Sequence, residues 1–284
     1  MSRLAENFRF PRNMSRSIAI RWKMFRQLLR SKTQSKRYLF IVGCQRSGTT
    51  MLSRILDKDL NTVSYGEASK LSYMDSGRRL RLRPLADIKD ELERDRAPLI
   101  VLKPLVESQN TATLLHEFEN SKAVWIYRHY KDVAASNIGR FGQANGINDL
   151  LPMFENHPDN WRSEKLSEPS RALVEKYFSV TMNPQDAAVL FWIVRNRIYF
   201  EMDLDTHADV FLCRYEDLTR NPSQVMKQIY KFVGQEYPDD QIVSGTHTKS
   251  IRKGAGVALT SEIESIATEL LESLDINRGS GIGN

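Results

Sequence analysis

The apolar positions of the chain fall into two alternating patterns. Short continuous apolar runs occur at 38–42 (YLFIV), 99–102 (LIVL), 123–127 (AVWIY) and 209–213 (DVFLC). Each is too short for a helix and rich in β-branched or aromatic residues, which predicts strands covered on both faces. Residues 61–65 (NTVSY) add a fifth, shorter candidate. Between these runs the apolar residues recur at helical spacing. Leu52, Ile55 and Leu56 predict a helix over 51–60, and further helices are expected at 111–118, 132–139, 223–233 and 261–274. The longest, 185–204, carries Leu190, Phe191, Val194, Ile198 and Tyr199. Pro222 opens the 223–233 helix and Gly234 closes it. Strands alternating with helices predict an α/β fold built on a single doubly wound, mostly parallel sheet with helices on both faces. Two stretches break the pattern. Residues 70–98 are strongly charged, with RRLRLR at 78–83 before Pro84, and read as loop and surface helix. Residues 140–185 show no clear period, and a stretch this long inside a compact domain is expected to be functional or mobile.

In open parallel sheets, ligands bind beyond the carboxyl ends of the strands. Gly43, Lys103, Arg128 and Arg214 all follow predicted strand ends, so one edge should gather them. The first strand runs directly into Gly43-Cys-Gln-Arg46-Ser47-Gly48-Thr49-Thr50. Glycines at this spacing, followed by a helix, form an anion socket, because backbone N–H groups and a helix N-terminus point into one cavity. A Walker loop places Lys before its Ser/Thr, and here that position is Thr49. The nearest cation is Arg46, inside the loop. Such a loop suits a phosphate but has no lysine to reach along a β/γ pair. A second anion grip is expected from Arg128 and, eight residues on, Ser136. Two separate grips suggest a ligand with phosphates at both ends.

Charge changes the picture at one end only. Residues 1–37 hold eleven Lys/Arg against the single acid Glu6, a net +10, which leaves −4 for 38–284 within a chain total of +6. The segment 1–37 is therefore expected to be a basic N-terminal arm on a domain spanning 38–284. Residues 17–29 (SIAIRWKMFRQLL) read as a basic amphipathic helix. It either packs on the domain or contacts an anionic membrane surface peripherally. A nucleic-acid partner is not expected, because the basic residues do not continue into the domain. Neither a secretory apolar core nor a run of about 18 apolar residues is present, which favours the cytoplasm. Cys44 and Cys213 lie near strand ends and read as core residues, and no cluster with metal-ligand spacing is seen.

Three stretches carry a family resemblance: RSGTT after a strand, VWIYRHYKDVAAS, and RYEDL followed by NP. Together they resemble the sulfotransferase family, whose members use 3′-phosphoadenylyl sulfate on a P-loop-like α/β fold. The resemblance covers 38–275, with 140–185 matching only in length and position, as an acceptor-shaping insertion. It implies that Arg46, Ser47, Gly48, Thr49 and Thr50 bind the 5′-phosphosulfate, and that Arg128 and Ser136 bind the ribose 3′-phosphate. Arg252-Lys253-Gly254 is similar to a later Arg-Lys-Gly that also grips the 3′-phosphate, and Tyr215 takes a position near the adenine or in the structure. Arg46 stands where cytosolic members have Lys and is expected to stabilise the leaving phosphate oxygen. Lys103 resembles a family lysine near the transferred group. The His used as base by cytosolic members would fall at position 105, which is Leu here. Tyrosylprotein sulfotransferases place a Glu after a Gly past the glycine loop, and Gly66-Glu67 is similar, so Glu67 is the expected base, with His116 and His129 as weaker candidates. The acceptor is then a small molecule, glycan or lipid offering a hydroxyl or amine, with no metal. Two alternatives stay open: a P-loop small-molecule kinase with Asp132 holding Mg²⁺, and a non-catalytic nucleotide- or membrane-binding relative.

Overall fold

A computed structural model describes residues 35–74 and 80–280, together with Lys23, Phe25 and Gln27. The five expected strands are present as β1 (Arg37–Gly43), β2 (Thr62–Tyr65), β3 (Leu99–Leu102), β4 (Ser121–Tyr127) and β5 (Val210–Arg214). All pair in parallel, in the order β2-β3-β1-β4-β5. The helices are α1 (Thr49–Asp57), α2 (Leu85–Leu92), α3 (Thr111–Glu117), α4 (Tyr130–Phe141), α5 (Asn145–Phe154), α6 (Glu168–Tyr177), α7 (Pro184–Glu201), α8 (Tyr215–Arg220), α9 (Pro222–Phe232) and α10 (Ser261–Ser280). A 3₁₀ turn, Leu105–Asn110, joins β3 to α3.

Side chains alternate across the sheet as the strand pleat requires. On one face Tyr38, Phe40, Val42, Ile100, Leu102, Trp125 and Tyr127 meet α7, α4, α5 and α10. On the other, Leu39, Ile41, Val101, Val124 and Ile126 meet Leu52, Ile55 and Leu56 of α1 and Val225, Met226 and Ile229 of α9. Burial on both faces explains why these strands read as unbroken apolar runs. Helix α7 is buried from Asp186 through Asn196, because α4, α5 and α10 surround the side turned away from the sheet. From β1 the chain passes to β2 on one side, whereas from β3 it passes to β4 on the other. The carboxyl ends of β1 and β3 therefore flank the crevice where such sheets bind ligands.

The segment 140–185 departs from expectation: it contains α5 and α6. Helix α5 buries Gly146, Asp149, Leu150 and Met153 and carries Pro152 internally, so its inward stripe is half polar. Helix α6 buries only Ser170 and Val174. Neither stripe is visible as apolar periodicity. Helix α8 was likewise hidden in a polar sequence. Most of the arm, including most of 17–29, lies outside the described residues. Lys23, Phe25 and Gln27 have helical backbone. Lys23 pairs with Asp57 at 2.9 Å, and Gln27 Nε2 donates to the Thr62 carbonyl at 3.1 Å, so these residues sit against the α1–β2 turn.

Helices α5 and α7 approach closely at Gly146, where an added Cβ would lie 2.6 Å from Ala188 N and 2.8 Å from the Ala187 carbonyl carbon. The obstacle is helix backbone, which cannot swing aside. Gly146→Ala is expected to cost ~1–3 kcal/mol. It should lower the urea midpoint at unchanged m-value; an unchanged midpoint would show that α5 slides freely on α7.

Candidate active site

The glycine loop is shaped by backbone geometry that L-residues rarely adopt. Gly43 has φ 123° and Gly48 φ 101°, with Arg46 between them in the left-handed region at φ 68°. Gly48 has a second reason to be glycine: a Cβ there would lie 2.2 Å from Cδ2 of Tyr215. The Tyr215 ring fills the space beside the loop. The Gly43 amide donates to Ser108 Oγ at 3.0 Å, which fixes the start of the loop to the turn after β3. Gly48 caps α1 without a side-chain hydrogen bond, so the first amides of the helix remain for a ligand. Thr49 is buried at 3% exposure, and Thr50 is exposed. The position that holds lysine in a Walker loop is thus turned into the protein.

One polar cluster forms between β1 and β3. Lys103, directly beyond β3, donates to Thr50 Oγ1 at 3.0 Å and pairs with Glu67 Oε1 at 2.5 Å. Glu67 follows the end of β2. Lys103 is almost buried whereas Glu67 keeps about a quarter of its side chain in solvent. A carboxylate, an ammonium and the helix hydroxyl therefore meet at the crevice mouth.

A second cluster forms between β1, β4 and the loop after α9. Arg46 Nε donates to Ser136 Oγ on α4 at 3.1 Å, and its guanidinium lies 5.7 Å from the Phe141 ring centre. Burial, then the nearby Arg140 and Arg128 charges, hold its pKa below the ordinary arginine value. Arg128 is 4% exposed. It donates to the Arg46 carbonyl at 3.4 Å and to the Ser250 carbonyl, pairs with Asp132 at 3.3 Å, and stacks on Tyr215 at 4.5 Å. Tyr215 also shares a hydrogen bond with Ser250 Oγ. Asp132 accepts the backbone N–H of Arg252 at 2.9 Å and of Gly254 at 2.8 Å. The Arg252 and Lys253 side chains are exposed beside this pocket.

Most sequence-predicted residues thus gather in two adjoining clusters, with some assigned to scaffolding. The Gly254 N–H is already engaged by Asp132, and a Cβ at Gly254 would lie 2.2 Å from the Lys131 carbonyl carbon. Gly254 therefore serves close chain approach. Arg214 is consumed by Glu216 and Asp275. His129 caps α4 by accepting the Lys131 amide, and its ring stacks on Tyr130. His116, exposed on α3 shortly before β4 begins, sits at the opposite edge of the sheet. Asp132 has both oxygens committed to protein donors, which does not suit the Mg²⁺ role of the kinase alternative. Among the described residues no group of three or more His, Cys, Asp or Glu is arranged to hold a metal, and no helix is long and apolar enough to cross a membrane.

Two buried polar atoms of the site, Ser47 Oγ and Arg128 Nε, have no hydrogen-bond partner among the described residues. Orphan donors of this kind carry a desolvation cost of ~1–3 kcal/mol that a ligand can relieve. A hydroxyl in one grip and a guanidinium edge in the other fit an anion at each. The model for the sulfotransferase domain matches residues 36–270. The chain belongs to the sulfotransferase domain family. Sulfotransferase 1A1 of Rattus norvegicus is 25% identical over 244 residues, covering 82% of this chain and 72% of that protein. The solved sulfotransferase domain from the Synechococcus PCC 7002 olefin synthase superposes with a TM-score of 0.53 at 15% identity, over 87% of this chain and 97% of that one. That likeness concerns the fold.

The glycine loop is tied to α5 by contacts that no spacing in the sequence signals. Gln45 Nε2 donates to Asp149 Oδ2 at 3.0 Å, and Asp149 also accepts from Asn145 at 2.7 Å and from Arg162 Nε at 2.8 Å. Asp149 is 2% exposed, and burial raises its pKa against the pull of Arg162. Removing one partner strands the other charge. Asp149→Ala should cost about 3 kcal/mol by denaturant melts; a loss below about 1 kcal/mol would show that water replaces the carboxylate.

Burial also lowers the pKa of His129 from its ordinary 6.5. Between the folded value and 6.5 the unfolded chain binds more protons, so this contribution is full above pH 6.5 and is lost as pH falls. His129→Gln should flatten the decline in stability below pH 6.5, measured by urea melts across pH; an unchanged slope would assign the acid sensitivity to other groups.

Proposed function

We propose that this protein transfers a sulfuryl group from 3′-phosphoadenylyl sulfate to a hydroxyl or amine of its acceptor. The observation that carries this reading is the pair of adjoining anion grips, each with an orphaned buried donor, on a loop without the Walker lysine. Four cations surround the site in Arg46, Arg128, Lys103 and Lys253, and Arg46 meets neutral side chains, the Ser136 hydroxyl and the Phe141 ring. A doubly anionic ligand complements that charge. The donor supplies an electrophilic sulfuryl group, which passes to the acceptor oxygen or nitrogen as its bond to the 5′-phosphate oxygen breaks.

The chain's own residues supply positioning and charge. Ser47, the Thr49 and Thr50 amides and Arg46 hold the 5′ end and stabilise the phosphate oxygen left behind. Arg128, Ser136 and the exposed Lys253 hold the 3′ end. Glu67 takes the acceptor proton, and Lys103 orients Glu67 through the 2.5 Å contact while placing positive charge beside Thr50. The acceptor is assigned to the side of the loop facing segment 140–185, a reading supported by the tie between Gln45 and Asp149 of α5.

Adenosine 3′,5′-bisphosphate is expected to raise the melting temperature, and ATP with Mg²⁺ to do so far less. Stronger protection by Mg²⁺-ATP would replace this reading with the kinase one. With labelled donor and an acceptor screen read by mass spectrometry, Glu67→Ala should lower kcat ~10²–10⁴-fold while leaving bisphosphate affinity nearly unchanged. Full turnover in that variant would remove Glu67 as the base.

A further inference from the structure

Asp132 occupies the first turn of α4, where an acid ordinarily serves its own helix. Here the capping is done by His129, and both Asp132 oxygens leave the helix for a segment 120 residues away. Oδ2 accepts the Arg252 amide at 2.9 Å and Oδ1 the Gly254 amide at 2.8 Å, while Oδ2 also faces Arg128 at 3.3 Å. Asp132 itself is 4% exposed.

The arrangement solves two problems at once. Arg252 is held at φ 64°, a left-handed conformation that is unfavourable for a non-glycine residue. Its amide, turned inward by that conformation, needs an acceptor. Arg128, Arg252 and Lys253 also crowd cations into one corner, and a buried carboxylate offsets their repulsion. Arg128 has its terminal nitrogens bound to the Arg46 carbonyl, the Ser250 carbonyl and Asp132, which leaves Nε as the group without a protein partner.

We infer that Asp132 is the positioning residue of the second anion grip: its carboxylate locks Arg128 and the 250–254 loop into one pocket, so that recognition of a ribose 3′-phosphate depends on it. The inference rests on the donor reading above. Asp132 touches no ligand in this scheme. It acts through Arg128 and through the backbone that presents Arg252 and Lys253.

Selectivity is the decisive readout, because a general loss of stability weakens both ligands alike. The full chain is titrated calorimetrically with adenosine 3′,5′-bisphosphate and with adenosine 5′-monophosphate, as wild type, Asp132→Asn and Asp132→Ala. Wild type should prefer the bisphosphate. Asp132→Ala should lose about ten- to hundredfold of that preference with monophosphate affinity little changed, as expected for hydrogen bonds to a charged group. Asp132→Asn, which keeps one acceptor oxygen, should fall between. Should Asp132→Ala not fold, Asp132→Asn carries the test together with amide hydrogen exchange, in which faster exchange at Arg252 or Gly254 is expected. A preference equal to wild type in the folded variants overturns the role of Asp132 and leaves the donor reading intact. A wild type without any preference overturns the donor reading, and this inference with it.

Discussion

Arg128 carries a full charge at a position that water hardly reaches, and an ion so placed loses several kcal/mol of hydration unless the protein replaces it. The surrounding architecture meets that requirement from four directions. The glycine loop offers the Arg46 carbonyl, the 250–254 loop the Ser250 carbonyl, α4 the Asp132 carboxylate, and α8 the Tyr215 ring face. Each of these elements is held in turn by another. Tyr215 rests where Gly48 has no Cβ and bonds Ser250, and Asp132 fixes the backbone of Arg252 and Gly254. A single guanidinium thus brings four chain segments together, and the proposed phosphate site is the surface they share.

Much of this was legible in the sequence, for a definite reason. Strands covered on both faces must be apolar at every position, so YLFIV, LIVL and AVWIY announce themselves, and parallel topology then gathers the residues just beyond each strand at one edge. Gly43, Lys103 and Arg128 were found that way, and Arg46, Ser136 and Glu67 fall beside them. The remainder was hidden because its partners are far apart or are backbone. Nothing in the spacing of Asp132 signals amides 120 residues later. Arg214 looks identical to Arg128 in its relation to a strand end, yet Glu216 and Asp275 take its guanidinium. Helices α5 and α6 were invisible because their inward positions include Gly146, Asp149 and Ser170, whose burial is met by close approach and hydrogen bonds.

Those polar inward positions link the glycine loop to the rest of the molecule. Beyond Gln45 and Asp149, Arg162 stacks over Trp161 at 4.4 Å, and Arg195 of α7 lies 5.1 Å from the same ring. Arg195 is 2% exposed and finds mainly neutral acceptors, Gln109 at 3.2 Å and the Leu105 carbonyl at 3.3 Å, and burial pulls its pKa down to about 10. Gln109 and Asn110 bind Glu164, while Arg81 joins Glu164 to Glu107. The lattice spans the turn after β3, α5, the α5–α6 connection and α7.

The glycine loop is therefore gripped on both flanks by polar contacts of different strength. On one flank the Arg46 carbonyl meets Arg128 at a long 3.4 Å; on the other, Gln45 meets the charged Asp149 at 3.0 Å. Both contacts involve an ionised partner, but 3.4 Å lies beyond the usual N–H···O range and 3.0 Å within it, so the α5 side is the firmer anchor. The flank nearer Arg128 is also the one with unsatisfied donors, at Ser47 and Arg128 itself. A ligand phosphate arriving there would complete the weaker side, while the loop keeps its register from the stronger. Order on the Arg128 side is left for a ligand to supply, on a loop already fixed to α5 through Gln45 and Asp149.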